Sequence, residues 1–305
     1  MSITRRSLVG TAALGVAAAA LEPLRLSAQA APLMRAIPAS GERIPAVGLG
    51  TWITFNVGDD PELQAECTQV MAAFFAGGGR MIDSSPMYGS SQAVVGRGLD
   101  ELGRPEALFA AEKVWTSSET DGPAQIEQTR RLWGVERFDL LQVHNLLSWE
   151  AHLDTLLAMK AAGRLRYAGI TTSEGRRHDL LEEIMRRQRI DFVQLSYNPV
   201  DRAAEQRLLP LAAERGIAVI VNRPFRQGAL TRRLEGEALP DWAGELGATS
   251  WAQLILKFIL SHPAVTVAIP ATTQAGHVRE NLAAAGGVLP DRELRERIAA
   301  RIGAL

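Results

Sequence analysis

The chain has 305 residues, 47% hydrophobic and 22% charged, the proportions of an ordinary globular protein that buries a large core without help from disulfides. Its 33 basic and 34 acidic side chains leave a net charge of -1, with no basic run long enough to track nucleic acid, so a small-molecule ligand is expected. Cys67, the single cysteine, excludes an intramolecular disulfide and a CxxC metal or redox pair, and reads as a small buried residue on a helix.

Residues 1–30 read as an address rather than as part of the fold. Thr4-Arg5-Arg6-Ser7-Leu8-Val9 sets a twin arginine before an apolar stretch of small residues, and Ala28-Gln29-Ala30 follows it. That stretch is too short and too rich in Ala and Gly for a stable membrane span, which needs about 20 strongly apolar residues. The order resembles a bacterial twin-arginine translocation signal, with Gly10 where such signals often carry Lys. The resemblance implies cleavage after Ala30, engagement with the twin-arginine translocation machinery, and a periplasmic or otherwise exported destination. It leaves 31–305 as the mature domain.

Beyond the signal, residues 35–44 suit a hairpin across a barrel floor, with Gly41-Glu42 at its turn. Short apolar runs suited to buried parallel strands follow at 46–52, 81–85, 108–114, 138–144, 165–171, 192–197, 217–222 and 265–271. Helical patterns lie between them at 61–76, 125–133, 149–162, 177–187, 203–215, 250–261 and 273–284, and a terminal helix is expected over 290–302. Gly77-Gly78-Gly79 reads as a helix stop, not a phosphate cradle, because no helix starts directly after it. Strand and helix alternate without a linker, and no GxGxxG opens a helix. The expected fold class is therefore α/β, a single-domain (β/α)8 TIM barrel rather than a doubly wound sheet.

In such a barrel the carboxyl ends of the strands converge on the active site. Asp83 ends the second predicted strand, Tyr88 follows five residues later, Lys113 lies near the end of the third and His144 closes the fourth. Each sits in an apolar setting where an uncompensated charge is expensive, so they are expected to compensate one another. Lys113 would favour the ionised form of a phenol that otherwise titrates near pH 10, and Asp83 would hold Lys113 charged. His144 would hydrogen-bond a substrate oxygen or share the proton. A tuned acid facing a carbonyl suits a reaction in which hydride reaches carbon and the developing alkoxide is protonated.

Seven segments in order are similar to the aldo-keto reductase family: Gly48-Leu49-Gly50-Thr51-Trp52, Met81-Ile82-Asp83-Ser84-Ser85-Pro86-Met87-Tyr88-Gly89, Glu112-Lys113, Leu140-Leu141-Gln142-Val143-His144, Gly163 to Ile170, Val193 to Asn198, and Arg279-Glu280-Asn281-Leu282. The resemblance places Asp83, Tyr88, Lys113 and His144 on the family's four catalytic positions. It implies reduction of an aldehyde or ketone to the alcohol by NAD(P)H, with NADP(H) favoured and NAD(H) an option. Gly50, Thr51 and Trp52 align with the strand end that approaches cofactor and substrate, and Gln194 with a contact to the nicotinamide carboxamide. Thr272, His277, Glu280 and Asn281 fall on the adenosine end.

The departures fall at the cofactor. Thr171-Thr172 stand where the family often has Ser-Asn, and Asn222 where an aromatic ring commonly stacks on the nicotinamide, with Arg223 able to offer a guanidinium instead. Ala271 and His277 replace the two residues that usually hold the 2′-phosphate. Trp52 fits either core or pocket, and Trp115 either helix packing or the substrate mouth. No His, Cys or carboxylate spacing suggests a metal. Two other readings are a cofactor-binding sensor or partner-binding module with little turnover, and a cofactor-free hydrolase or isomerase, for which no carboxylate pair is found.

Overall fold

The computed structural model describes residues 32–305, so the twin-arginine segment and its cleavage point lie outside the described residues. A short antiparallel hairpin, β1 (Met34–Ala36) and β2 (Arg43–Pro45), opens the fold where it was expected, but its turn falls at 38–41 rather than at Gly41-Glu42, because Glu42 O already accepts from Ile37 N at 2.8 Å. Eight parallel strands follow: β3 (Leu49–Gly50), β4 (Met81–Asp83), β5 (Phe109–Val114), β6 (Leu140–His144), β7 (Tyr167–Thr171), β8 (Phe192–Ser196), β9 (Ala218–Asn222) and β10 (Val265–Ala268). They form one sheet in sequence order, closed by parallel bridges Val47↔Ala268 and Gly50↔Ala271, with Gly48 N donating to Ala268 O at 2.8 Å. The first and last strands are shorter than their apolar runs, because the barrel closes through single bridges rather than a continuous ladder.

The alternation of side chains along a strand explains the barrel interior. Met81, Phe109, Leu140, Tyr167, Phe192 and Ala218 point inward near the strand starts and form a core sealed from below by Ile37 and Ile44 of the hairpin. Glu42 of the hairpin accepts from the Tyr167 hydroxyl at 2.9 Å and pairs with Arg80 and Arg166, which ties the floor to the strands. The next inward positions toward the carboxyl ends are polar: Asp83, Lys113, Gln142, His144, Thr171, Gln194 and Ser196 are all buried. The strand registers Lys113↔Gln142, His144↔Thr171 and Thr171↔Gln194 set them side by side.

Outward-facing Val, Leu and Ile side chains pack against an outer ring of helices. These are α1 (Pro61–Ala76), α2 (Ser91–Glu101), α3 (Gly122–Trp133), α4 (Trp149–Ala161), α5 (His178–Arg187), α6 (Leu208–Arg215), α7 (Ala229–Arg233), α8 (Trp251–Leu260), α9 (Ala275–Ala283) and the terminal α10 (Arg292–Ala304). The sequence reading misses α2, whose Gly96 and Gly98 argue against helix on propensity. Packing overrides that preference: a Cβ on Gly96 would lie 1.8 Å from the Leu132 carbonyl oxygen, so glycine permits the close approach of α2 and α3. The predicted helix 203–215 is divided, a 3-10 turn at Ala203–Glu205 preceding α6. Cys67 is buried on α1, as expected, and α1 stops against Gly77. No helix among the described residues is long and apolar enough to cross a membrane.

Candidate active site

A cavity of about 790 Å³ opens at the carboxyl ends of the barrel strands. Asp83 at the end of β4 and Lys113 on β5 form a buried ion pair, Nζ to Oδ2 at 2.6 Å, and the same ammonium donates to the Ser84 carbonyl at 2.6 Å. Both side chains are sealed from solvent, at 0% and 2% exposure, so neither charge is met by water and each depends on the other. Asp83 Oδ1 accepts from Gln194 Nε2 at 2.9 Å and Gln142 Nε2 at 3.5 Å. Tyr88 arrives on a 3-10 turn, Pro86–Tyr88, started by Ser85, whose hydroxyl accepts from Met87 N at 3.2 Å. The Lys113 ammonium lies 5.2 Å from the Tyr88 ring centroid, and the His144 ring stands edge-on to it at 5.6 Å. Four residues from three stretches of chain thus meet in one place.

Burial governs their ionisation. It pushes the Tyr88 phenol up to about 12 against the opposing pull of Lys113, although the side chain keeps part of its surface open to the cavity. The expected lowering by Lys113 is present but smaller, which corrects the sequence reading: the phenol is held protonated. Burial also works against the Lys113 ammonium, but Asp83, Tyr88 and Glu112 together outweigh it and raise its pKa above the ordinary lysine value. His144 is held well below the ordinary imidazole value by burial and then by Lys113, so its ring is neutral. At neutral pH the cluster therefore offers a phenolic proton, a fixed cation and an uncharged imidazole.

The remaining expected residues fall into groups. Gly50, Thr51, Trp52, Thr171, Thr172, Gln194, Asn222, Arg223, Thr272 and His277 all line the cavity with Asp83, Tyr88 and His144. Lys113 does not line it and acts from behind Asp83 and Tyr88. Glu280 and Asn281 do not line it either; Asn281 is buried on α9, and the Glu280 carbonyl is taken by Gln253 Nε2 at 3.2 Å. They sit a turn beyond His277, on the part of α9 that meets α8. A Cβ on Gly50 would lie 2.8 Å from the Ile269 carbonyl oxygen, so this rim position admits little besides glycine.

The residues present fit the expected nicotinamide cofactor. The buried Thr172 Oγ1 has no hydrogen-bond partner within the protein, and its residue lines the cavity, which suits a carboxamide. Asn222 is not free to replace a stacking ring: its amide donates to Thr172 O at 2.9 Å and accepts from Ser196 Oγ at 2.6 Å. Arg223 lines the cavity but is paired with Glu174 at 2.8 Å, so its guanidinium is partly committed to the rim. At the far end His277 Nδ1 lies 3.3 Å from Thr272 Oγ1. Among the described residues no group of three or more His, Cys, Asp or Glu side chains could hold a metal.

Sequence reasoning missed Ser85, Gln142, Ser196, Glu174 and Arg232. Ser85 and Gln142 were visible within the matched segments, but their roles depend on which neighbours the register supplies. Arg232 lines the cavity from α7, which has no recognisable pattern in the sequence. Trp115 resolves to the mouth: its backbone is clasped by Gln125, N to Oε1 at 2.6 Å and O to Nε2 at 2.8 Å, and its side chain lines the cavity.

Comparison with known proteins agrees with this geometry. Residues 46–300 match the model of the Aldo/keto reductase family. The chain is 25% identical over 234 residues to the NADH-specific methylglyoxal reductase of Escherichia coli strain K12, covering 65% of this chain and 68% of that protein. It is similar at 27% identity and a TM-score of 0.73 to a thermostable aldo-keto reductase solved with the inhibitor epalrestat, across 89% of this chain and 100% of that one. An aldo/keto reductase from Klebsiella pneumoniae, solved with NADP and acetate, shares the fold at 22% identity and a TM-score of 0.70, covering 86% of this chain and 93% of its own. A match to the family model over residues 46–300, most of the described barrel, assigns the chain: it belongs to the aldo/keto reductase family.

Proposed function

We propose that this protein reduces an aldehyde or ketone to the corresponding alcohol, with NAD(P)H as hydride donor and Tyr88 as the proton donor. The observation that carries the reading is the buried Lys113–Asp83 pair set against the Tyr88 ring, with neutral His144 at its edge. When bound, the dihydronicotinamide supplies hydride to the carbonyl carbon. Negative charge then grows on the carbonyl oxygen, where the Tyr88 hydroxyl donates first a hydrogen bond and then its proton. The Lys113 ammonium stabilises the phenolate left behind, and Asp83 keeps that ammonium charged and in place. His144 offers a second polar contact to the same oxygen. Thr172 and Gln194 would hold the nicotinamide end, with the Asn222 amide bracing both; Thr272 and His277 would hold the adenosine end. NADP(H) is the first choice and NAD(H) is usable, since His277 and Ala271 supply no fixed pair of cations for a 2′-phosphate.

Removing the proton donor isolates the claim. Tyr88→Phe is expected to lose about 10²- to 10⁴-fold in kcat for aldehyde-dependent NADPH or NADH oxidation, with the fold unchanged by circular dichroism. A Phe variant that keeps the wild-type rate overturns the reading.

The first thirty residues support a further part of the reading: export through the twin-arginine route and a mature domain of 31–305, in a periplasmic or otherwise exported location. That route carries folded proteins, which suits a barrel that takes up a soluble cofactor before leaving the cytoplasm. N-terminal sequencing of exported protein should begin at Ala31, and Arg5→Lys with Arg6→Lys should hold the precursor in the cytoplasm. Export unaffected by the double substitution would refute it.

A further inference from the structure

We infer that Ser85 is a positioning residue that sets the tautomer of His144, so that the ring presents an Nε2–H donor to the cavity. The inference rests on the reductase reading for its consequence, but its geometry stands alone. Ser85 Oγ and His144 Nδ1 are 2.7 Å apart, with the serine fully buried and the histidine 5% exposed. The same hydroxyl oxygen already accepts the backbone N–H of Met87 at 3.2 Å. A serine hydroxyl has one proton to give, and a buried one left undirected is costly. His144 Nδ1 is the one acceptor in reach of that proton among the described residues.

Ser85 therefore donates to Nδ1, and Nδ1 is an acceptor without a proton of its own. The ring is neutral, since burial and the Lys113 ammonium both oppose a second proton, so its single N–H lies on Nε2. Nε2 has no hydrogen-bond partner within the described protein, and His144 lines the cavity. A carbonyl oxygen placed there meets two donors of different kinds. His144 gives a hydrogen bond that it keeps, and Tyr88 gives a proton that it transfers. The alternative left open by the sequence, in which the imidazole shares the proton, is thereby removed. Ser85 also caps the turn that carries Tyr88, its hydroxyl accepting the Met87 N–H, so the test must separate that contact from the one to His144.

The test reads the ring directly. In holoenzyme labelled with ¹⁵N-histidine, and with His144→Gln used for assignment, long-range ¹H–¹⁵N spectra should show a pyrrole-like Nε2 and a pyridine-like Nδ1 for His144. Ser85→Ala should shift the ring toward the Nδ1–H form, and Ser85→Thr should restore the wild-type pattern. Kinetically, Ser85→Ala should lower kcat/KM about tenfold, the worth of one hydrogen bond, but by less than about twofold in a His144→Gln background. A proton found on Nδ1 in the wild type overturns the inference. So does an equal kinetic loss in both backgrounds, which would place the role of Ser85 in the Tyr88 turn alone. A wild type inactive on carbonyls yet showing the Nε2–H spectrum would instead refute the reductase reading and uphold the tautomer.

Discussion

Replacing Lys113 with Met keeps the aliphatic stem and deletes the charge from the most deeply buried ion pair of the site. Asp83 would then be a sealed carboxylate that has lost its 2.6 Å ammonium partner and retains the amides of Gln194 at 2.9 Å and Gln142 at 3.5 Å. Breaking a buried pair from one side costs about 3–5 kcal/mol, and the two remaining donors put this case near 3 kcal/mol. For a barrel of this size that is a fall of roughly 6–12 °C in Tm. Asp83→Asn strands the ammonium on the Ser84 carbonyl at 2.6 Å and should cost a similar amount. The double variant removes both charges together, so its loss should fall short of the sum of the single losses by about 2–3 kcal/mol. Urea unfolding followed by circular dichroism at pH 7 measures all four proteins on one scale. Losses that add to within about 0.5 kcal/mol would refute the claim that the two residues depend on each other.

Other outcomes follow from neighbouring groups. Glu112 faces outward from β5 and accepts from Gln92 Nε2 at 2.8 Å and Trp133 Nε1 at 3.3 Å; burial pushes its carboxyl up to about 7 from 4.5. The folded state thus holds a proton that the unfolded chain releases across that window, so this stabilisation is full below about pH 4.5 and is lost as pH rises through about 7. Glu112→Gln should flatten the fall in unfolding free energy between pH 4.5 and 8, and an unaltered slope would contradict the assignment. The comparison must be of slopes, because neutral His144 contributes with the opposite sign: its unfolded form takes up a proton below about 6.5, so this part of the stability falls on acidification. At the adenosine end, His277→Arg adds a charged donor worth about 1.5–3 kcal/mol, which should raise kcat/KM for NADPH relative to NADH by at least tenfold. No change in the ratio would mean that the 2′-phosphate binds elsewhere.

Much of the fold was legible because parallel strands buried on both faces read as apolar runs and amphipathic helices carry their own period. The polar residues at the strand ends stood out for the same reason: Asp83, Lys113 and His144 interrupt apolar runs where an unpaired charge would be intolerable. Less could be read where the cause is not local. Helix α2 contains two glycines that propensity counts against it, and the approach of α2 to the Leu132 carbonyl is a property of two helices rather than one. Glu280 and Asn281 matched the family pattern, yet whether a residue on α9 reaches the cavity depends on how that helix lies across the barrel rim.

The amino-acid sequence by itself determined the chemical inventory of this protein: an ammonium, a carboxylate and an imidazole at strand ends, with the alternation that turns them inward, and a phenol in the loop just beyond. Only the tertiary structure decided their protonation and partners. Burial, which no local pattern reports, outweighs Lys113 and keeps Tyr88 protonated, and the packing of β4, β5 and β6 side by side brings His144 to Ser85, two residues beyond β4. Ionisation and tautomer are set by what surrounds a group in three dimensions, because desolvation and hydrogen bonding act through space and not along the chain.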